Sequence, residues 1–204
     1  MVIYLLQKLW KTYYYASSLG LSEFTVRNVE KKDVAYYEML VLDCFSTECL
    51  KIYLEGSAKT RLQKTKLVVK YPPATKYLNV CWLGTSNCSR CTKCCRTLVA
   101  LDILGQLDEF SSVFDIDYYK ANRWKYYIRL YGEHLIGDPY VKDLYSQVSH
   151  KINMFHRIGG FVRFLGHSSY EIFQHQLCNR IPALSQWYNK KSQEFLDRKA
   201  GVDQ

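Results

Sequence analysis

The sequence has little that would mark a membrane or secreted protein. Its longest apolar runs, such as Met1 to Leu6, are far shorter than the roughly 20 residues needed to span a bilayer. Lys8 and Lys11 interrupt the apolar start, and no basic leader precedes it as a secretory signal requires. The chain also has no internal repeat and no low-complexity linker. We therefore expect a cytoplasmic protein without a membrane partner.

The common motifs of catalysis are missing as well. There is no G-x4-G-K-[ST] phosphate loop, no H-E-x-x-H pair and no G-x-S-x-G nucleophile turn. The five histidines, at positions 134, 150, 156, 167 and 175, are interpreted as surface or core residues. Asp115 and Asp117 form a D-x-D pair that could hold Mg²⁺, but the helix dipole favours carboxylates at a helix start, and we prefer that interpretation. No residue is assigned a catalytic role.

Against these absences stands a dense group of cysteines. The stretch from Cys81 to Cys95 holds five of the eight cysteines in the chain. Crowding of this kind in a cytosolic protein favours a metal site over disulfides, and Cys-x-x-Cys lets two thiolates of one turn face the same ion. We predict a zinc site whose four ligands follow the spacing C-x6-C-x2-C-x2-C: Cys81, Cys88, Cys91 and Cys94. The remaining Cys44, Cys49 and Cys178 are interpreted as ordinary thiols.

Two alternatives bear on this site. Cys95 competes with Cys94 for the fourth position, but Cys95 shares a helical stripe with Leu98 and Leu101 and suits a small core residue. Iron–sulfur ligation is the chemical rival, although the proline that follows the last cysteine of a ferredoxin run is absent. Zinc is preferred. Four cysteine ligands leave no open coordination position, so the predicted role of the metal is structural.

The net charge of +9 is concentrated in one segment. Between Lys51 and Arg96, ten lysines and arginines accompany a single acid, Glu55. A basic segment attracts phosphates, whether in a nucleotide or in a nucleic acid. An ordinary solvated helix face explains the same pattern equally well.

The hydrophobic pattern predicts an α/β core followed by helices. It predicts a strand at "TYYYAS", a helix from Ser57 to about Lys70, a strand at "YLNVCW" that ends near Cys81, and a helix from Thr92 to Gly105. From Asp115 onward the pattern indicates helices rich in Tyr and Trp, the last two being "SSYEIFQHQLCNRI" and "ALSQWYNKKSQEFLDRKAG". We therefore predict a core over residues 1–114, with the cysteine loop at 81–95, and a helical extension over 115–204.

Part of the chain resembles a known family. Five features carry the likeness in order: Ser46-Thr47-Glu48, the basic helix, Cys81-Trp82, the triple cysteine, and Arg96-Thr97-Leu98. Over roughly residues 40 to 115 the sequence resembles the C-terminal part of bacterial proteins related to the PP-loop ATP pyrophosphatases, a group similar to the deazaguanine synthase of queuosine biosynthesis. The resemblance implies an α/β fold, a partial HUP-like parallel sheet flanked by helices and stapled by zinc, with an α-helical C-terminal appendage.

The chain departs from that family at the ATP site. The family binds ATP through an S-G-G-x-D-S loop, whereas the Gly-Gly pair here, Gly159-Gly160, lacks the serine and the aspartate. The chain thus looks like the rear half of a longer or split protein. The resemblance implies adenylating chemistry with ATP and Mg²⁺ only if a separate chain or a missing N-terminal half supplies the loop. Arg61 and Lys64 would then contact phosphate.

The residues leave two other functions open. One is a zinc-stabilised basic module that binds nucleic acid through the positively charged segment. The other is a structural remnant that binds a protein partner through its Tyr- and Trp-rich tail. Both functions, like the one implied by the PP-loop resemblance, include the predicted zinc site, so the site itself does not distinguish among the three.

Overall fold

The computed structural model describes residues 2–24 and 34–173. The chain divides into two compact units, Met1–Leu67 and Val68–Gln204. The predicted boundary between residues 114 and 115 falls inside the second unit, so the cysteine loop and the helices after it belong to the same unit. His175, Cys178 and most of the last two predicted helices lie outside the described residues.

A parallel pair of strands organises the first unit. β1, Thr12–Ala16, is the predicted "TYYYA" strand, and it pairs with β2, Lys51–Glu55, so that Tyr13 lies opposite Ile52. Both strands are rich in the aromatic and branched residues that suit a pleated surface. The described residues therefore confirm the mixed α/β class. The HUP-like arrangement stays a prediction.

The core of the first unit is small. Ile3, Leu50 and Ile52 are buried together, and Tyr4, Tyr13 and Leu42 pack against them. Three α-helices of the described part accompany this sheet: α1, Val2–Leu5, α2, Glu38–Val41, and α3, Arg61–Val69.

The basic helix α3 begins later than the sequence predicts. Its first turn is closed by Thr60 rather than Ser57: the Gln63 N–H donates to Thr60 Oγ1 at 3.3 Å, and the Thr60 N–H donates to Gln63 Oε1 at 3.0 Å. This reciprocal pair is a capping box, which satisfies two N–H groups that the helix itself cannot pair. The predicted cap at Ser57 is therefore wrong by three residues.

Helices dominate the second unit. Within the described residues they are α4, Ala74–Tyr77, α5, Thr92–Ile103, α6, Ile116–Ala121, α7, Arg123–Leu135, α8, Lys142–Val148, and α9, Met154–Phe173. The predicted α5 is confirmed, and Gly105 follows it at a positive φ of 67° that suits glycine. Tyr119, Phe110, Leu98 and Leu144 form the fully buried core between these helices. None of the helices in residues 2–24 and 34–173 has the length and apolar content that crossing a bilayer requires.

The predicted strand at "YLNVCW" is wrong. Residues 78–82 are irregular, and no described strand pairs with them. The backbone N–H groups of Val80 and Cys81 instead donate to the Asn87 side-chain oxygen, at 2.9 and 3.2 Å. Backbone donors must find a partner, and here a side chain supplies it. The apolar run in the sequence does not show whether its backbone N–H groups will pair with another strand or with a side chain.

Glycines allow α7 and α9 to pack closely. A Cβ at Gly160 would lie 2.6 Å from Tyr131 Cδ1 and 2.9 Å from the Ile128 carbonyl oxygen. A Cβ at Gly159 would lie 2.7 Å from Ile128 Cδ1, which is a more flexible neighbour. The Gly-Gly pair that lacks a phosphate-loop sequence thus serves helix packing, because only hydrogen atoms fit in this contact.

We expect Gly160→Ala to destabilise the second unit by about 1–3 kcal/mol, since the methyl group meets backbone that cannot move aside. Gly166→Ala on the same helix is the matched control. A Cβ there meets no described atom within 4 Å, so the better helix propensity of alanine should stabilise the protein by up to about 1 kcal/mol. Denaturant unfolding of both variants measures the difference, and equal effects at the two sites would contradict the close packing.

Candidate metal centre

Four cysteines of the second unit converge on one point. The Sγ atoms of Cys81, Cys88, Cys91 and Cys94 all lie within 4.8 Å of one another. The Cys81–Cys91 pair is separated by 3.9 Å and the Cys88–Cys94 pair by 4.0 Å. Four sulfurs placed about 2.3 Å from a zinc ion in a tetrahedron are about 3.8 Å apart. The predicted set therefore has the spacing that a tetrahedral metal site requires.

Backbone N–H groups point at three of these sulfurs. The Leu83 N–H donates to Cys81 Sγ at 3.4 Å, the Cys91 N–H to Cys88 Sγ at 3.2 Å, and the Cys94 N–H to Cys91 Sγ at 3.4 Å. The last bond makes Cys91 the N-cap of α5, where the helix dipole also favours negative charge. These donors stabilise thiolate rather than thiol, which is the form that binds metal.

Ser89 and its two hydrogen-bond partners, Tyr126 and Asp115, hold the turn between Cys88 and Cys91. Ser89 is fully buried and has a φ of 58°, the left-handed conformation that reverses the chain in a tight turn. Its carbonyl accepts a hydrogen bond of 2.6 Å from the Tyr126 hydroxyl of α7, and its Oγ accepts one of 2.9 Å from the Asp115 N–H. The turn is thus fixed by the helices that follow it.

Asn87 ties the Cys81 side of the site to the rest of the unit. Besides accepting from Val80 and Cys81, its amide donates to the Leu78 carbonyl at 2.7 Å and to the Val113 carbonyl at 3.0 Å. Neither Asn87 nor Tyr126 is among the residues singled out from the sequence. An asparagine directly before a Cys-x-x-Cys turn is a local signal for the first. The second has no local signal, since Tyr126 is 37 positions away from its partner.

Two of the four thiols, Cys91 and Cys94, resist ionisation because their pKa values are raised. Burial raises the pKa of the Cys94 thiol, and the neighbouring Cys91 and Cys88 add to the effect; burial also raises the pKa of Cys91. Cys81 is the exception. Burial opposes its ionisation, but hydrogen bonds from the Cys88 and Leu83 backbone and from neighbouring thiols bring its pKa down to about 7. A divalent cation would supply the positive charge that allows the Cys91 and Cys94 thiols to ionise.

Cys95 lies outside the cluster. Its Sγ donates to the Arg90 carbonyl at 3.3 Å and accepts from Arg129 Nη1 at 3.2 Å. Burial raises its pKa to about 11, against the opposing charge of Arg129. The structure therefore brings Cys94 to the other three sulfurs and gives Cys95 a packing position.

The other residues singled out by sequence have structural contacts. Lys64, a predicted phosphate contact on α3, donates from Nζ to the Ser17 carbonyl at 2.8 Å and to Ser17 Oγ at 2.7 Å. Arg61 lies one turn before it in the first unit, and phosphate binding by this pair stays a prediction. Asp115 caps α6 by accepting from the Tyr118 N–H at 3.0 Å, as the helix-start interpretation predicts. His156 is buried, and its Nδ1 accepts from the Asn153 N–H.

Fold and site together define a mixed α/β protein whose cysteine cluster can hold a metal ion. No family model, no curated protein and no solved structure matches the chain.

Proposed function

We propose that this protein is a zinc-binding module in which the metal is structural and folds the second unit. The observation that carries the proposal is the approach of four sulfurs to within 4.8 Å of one another. Two of the four cysteines, Cys91 and Cys94, are buried, and three sulfurs receive backbone N–H groups. All four ligand positions of a tetrahedral ion are filled by protein, so no position remains for a substrate.

A bound zinc ion would also stabilise the loop that surrounds the cysteines. Residues 78–91 contain no α-helix or strand, so side-chain hydrogen bonds such as those of Asn87 and Ser89, rather than secondary structure, order them. A structural zinc ion contributes its binding free energy directly to folding. The ion would therefore connect the start of α5 to a segment that secondary structure does not stabilise.

The test is metal analysis of the protein purified under reducing conditions. We expect about one zinc ion per chain by mass spectrometry. Removing it with a high-affinity chelator should reduce helical circular dichroism and the melting temperature, and zinc but not Mg²⁺ should restore both, because thiolates select soft cations. Visible absorption together with bound iron would instead assign the cysteines to an iron–sulfur cluster. Metal-free protein of unchanged stability would contradict the proposal.

Kinship with the PP-loop ATP pyrophosphatases stays a proposal supported by the sequence resemblance over roughly residues 40 to 115. It requires that another chain or segment supply the S-G-G-x-D-S loop, ATP and Mg²⁺. A partner carrying that loop would be expected to copurify with this protein. Zinc binding does not depend on this kinship.

A further inference from the structure

A cluster of positively charged side chains lies beside the metal centre, on the surface of the second unit. Arg90 comes from the Cys88–Cys91 turn, Lys125 and Arg129 from α7, and Arg163 from α9. With Tyr118 and Tyr126 they line an open cavity of about 290 Å³. Lys125 and Arg129 are four residues apart and share a face of α7, whereas Arg90 and Arg163 are distant in sequence and are brought to them by the packing of the cysteine turn and α9 against α7.

Packing holds the cations in place. Arg129 Nη1 donates to the Arg90 carbonyl at 2.6 Å, which joins α7 to the cysteine turn. The Arg90 guanidinium stacks 4.1 Å from the centre of the Tyr118 ring. The stem of Arg163 packs on Gly132, where an added Cβ would lie 3.2 Å from Arg163 Cδ. These contacts restrain Arg90, Arg129 and Arg163 before any ligand arrives, which lowers the entropic cost of binding.

The charge of this cluster is poorly compensated. Arg90 pairs with Asp115 at 3.6 Å, and both side chains are at least half exposed, so the pair is weak. Among the residues that the structure describes, no carboxylate forms an ion pair with Lys125, Arg129 or Arg163. Partial burial and the nearby Arg129 lower the pKa of Arg163, although the charges of Glu133 and Cys95 oppose this shift. Mutual repulsion of this kind is relieved by a bound anion.

A second, larger cavity adjoins the first and shares Arg90 and Arg129 with it. Its volume is about 520 Å³, and Trp82, Leu83 and Gly84 form part of its wall. The Trp82 side chain is 58% exposed. An exposed aromatic ring next to a positively charged groove is the combination by which proteins bind single-stranded nucleic acid, since bases stack on the ring and phosphates meet the cations.

We propose that Arg90, Lys125, Arg129 and Arg163 bind the phosphate groups of a single-stranded nucleic acid, one base of which stacks on Trp82. The cavity of about 290 Å³ is large enough to hold a phosphate group. The proposal depends on the metal centre only through Arg90, whose backbone lies in the Cys88–Cys91 turn. Arg163 and Lys125 lie on helices outside that turn.

The experiment titrates the zinc-loaded full chain with a short oligothymidylate and separately with inorganic phosphate, at low and rising salt. We expect saturable binding of the oligonucleotide, competition by phosphate, and a linear fall of log affinity with log salt. Arg163→Gln and Lys125→Gln should each weaken oligonucleotide binding about tenfold, as expected for loss of a charged hydrogen bond, and each should reduce the salt slope by about 1. Trp82→Ala should weaken the binding of the oligonucleotide but not the binding of inorganic phosphate.

Arg157→Gln on α9 is the matched control, because it removes the same charge from an exposed position outside both cavities. It should change affinity less than about twofold, since it meets no phosphate. Zinc content is measured for every variant, so a lost metal centre is distinguished from a lost anion site. Equal weakening by Arg157→Gln and Arg163→Gln, or no saturable binding of either probe at low salt, would overturn the proposal. Binding of phosphate without the oligonucleotide would overturn the nucleic-acid assignment.

Discussion

Replacing Cys94 with serine is expected to abolish zinc binding and to unfold the second unit. Cys94 Sγ is fully buried and lies 4.0 Å from Cys88 Sγ, so a shorter, harder hydroxyl would leave a gap in the first coordination sphere. Structural zinc contributes on the order of 10 kcal/mol in small zinc-dependent domains. That loss exceeds the usual cost of a point substitution, about 0.5–3 kcal/mol. Zinc analysis and helical circular dichroism of Cys94→Ser measure both consequences.

Cys95→Ser is the matched control for this experiment. Cys95 is the adjacent residue, is buried in the same helix, and hydrogen bonds to Arg90 and Arg129 rather than to the cluster. A serine can keep both bonds, so this variant should retain one zinc ion and lose no more than about 3 kcal/mol. If Cys95→Ser lost the metal while Cys94→Ser kept it, Cys94 would not be the fourth ligand.

Arg96→Met is expected to destabilise the second unit by about 3–5 kcal/mol, the usual cost of removing one member of a buried ion pair. Arg96 Nε lies 3.2 Å from Glu133 Oε2, and its Nη2 contacts Asp138 Oδ2. Glu133 is only 7% exposed. Methionine would fill the space but would leave Glu133 and Asp138 without their shared cation. Chemical denaturation at neutral pH measures the effect, and exposed Arg157→Met provides the control, which should change stability by less than about 0.5 kcal/mol.

The stability that Arg96→Met loses should depend on pH in a defined direction. Burial raises the pKa of Glu133 above its ordinary 4.5, although Arg96 opposes the shift. The folded state therefore binds this proton more tightly than the unfolded state, and stability falls as the pH rises from about 4.5 through the folded pKa. Removing Arg96 raises that pKa further. The deficit of Arg96→Met should thus be smallest at acid pH, and adding Glu133→Gln should recover part of it at neutral pH. A deficit that is constant with pH would contradict an unpaired Glu133 as its cause.

The cysteine cluster that can hold a metal ion follows from the sequence more directly than the fold around it does. The three-residue step of Cys88, Cys91 and Cys94 is a local property, because a tight turn that leads into a helix fixes where those sulfurs point. β1 and α5 were equally predictable from aromatic clustering and helical periodicity. The strand predicted at "YLNVCW" was wrong, since an apolar run becomes a strand only if another strand pairs with it, and here the Asn87 side chain accepts the backbone N–H groups instead.

The contacts that hold the site together were beyond sequence reasoning for a related reason. Tyr126 reaches Ser89, and Arg129 reaches Arg90, across 37 and 39 positions of the chain. Neither pair has a spacing rule, because the distance along the chain does not determine the distance between helices that pack. The Gly159-Gly160 pair illustrates the same limit: its lack of a phosphate-loop sequence was evident, but its place against Ile128 and Tyr131 was not.

The sequence by itself determined that Cys81, Cys88 and Cys91 can share an ion with Cys94 or Cys95, since ligand spacing within a turn and a helix start is set by short-range geometry. Only the tertiary structure decided what surrounds these cysteines. It separated Cys95 from Cys94, and it gathered Lys125, Arg129 and Arg163 around the turn that carries Arg90. Charge and burial act through space, so these properties arise from how helices pack and not from the order of residues along them.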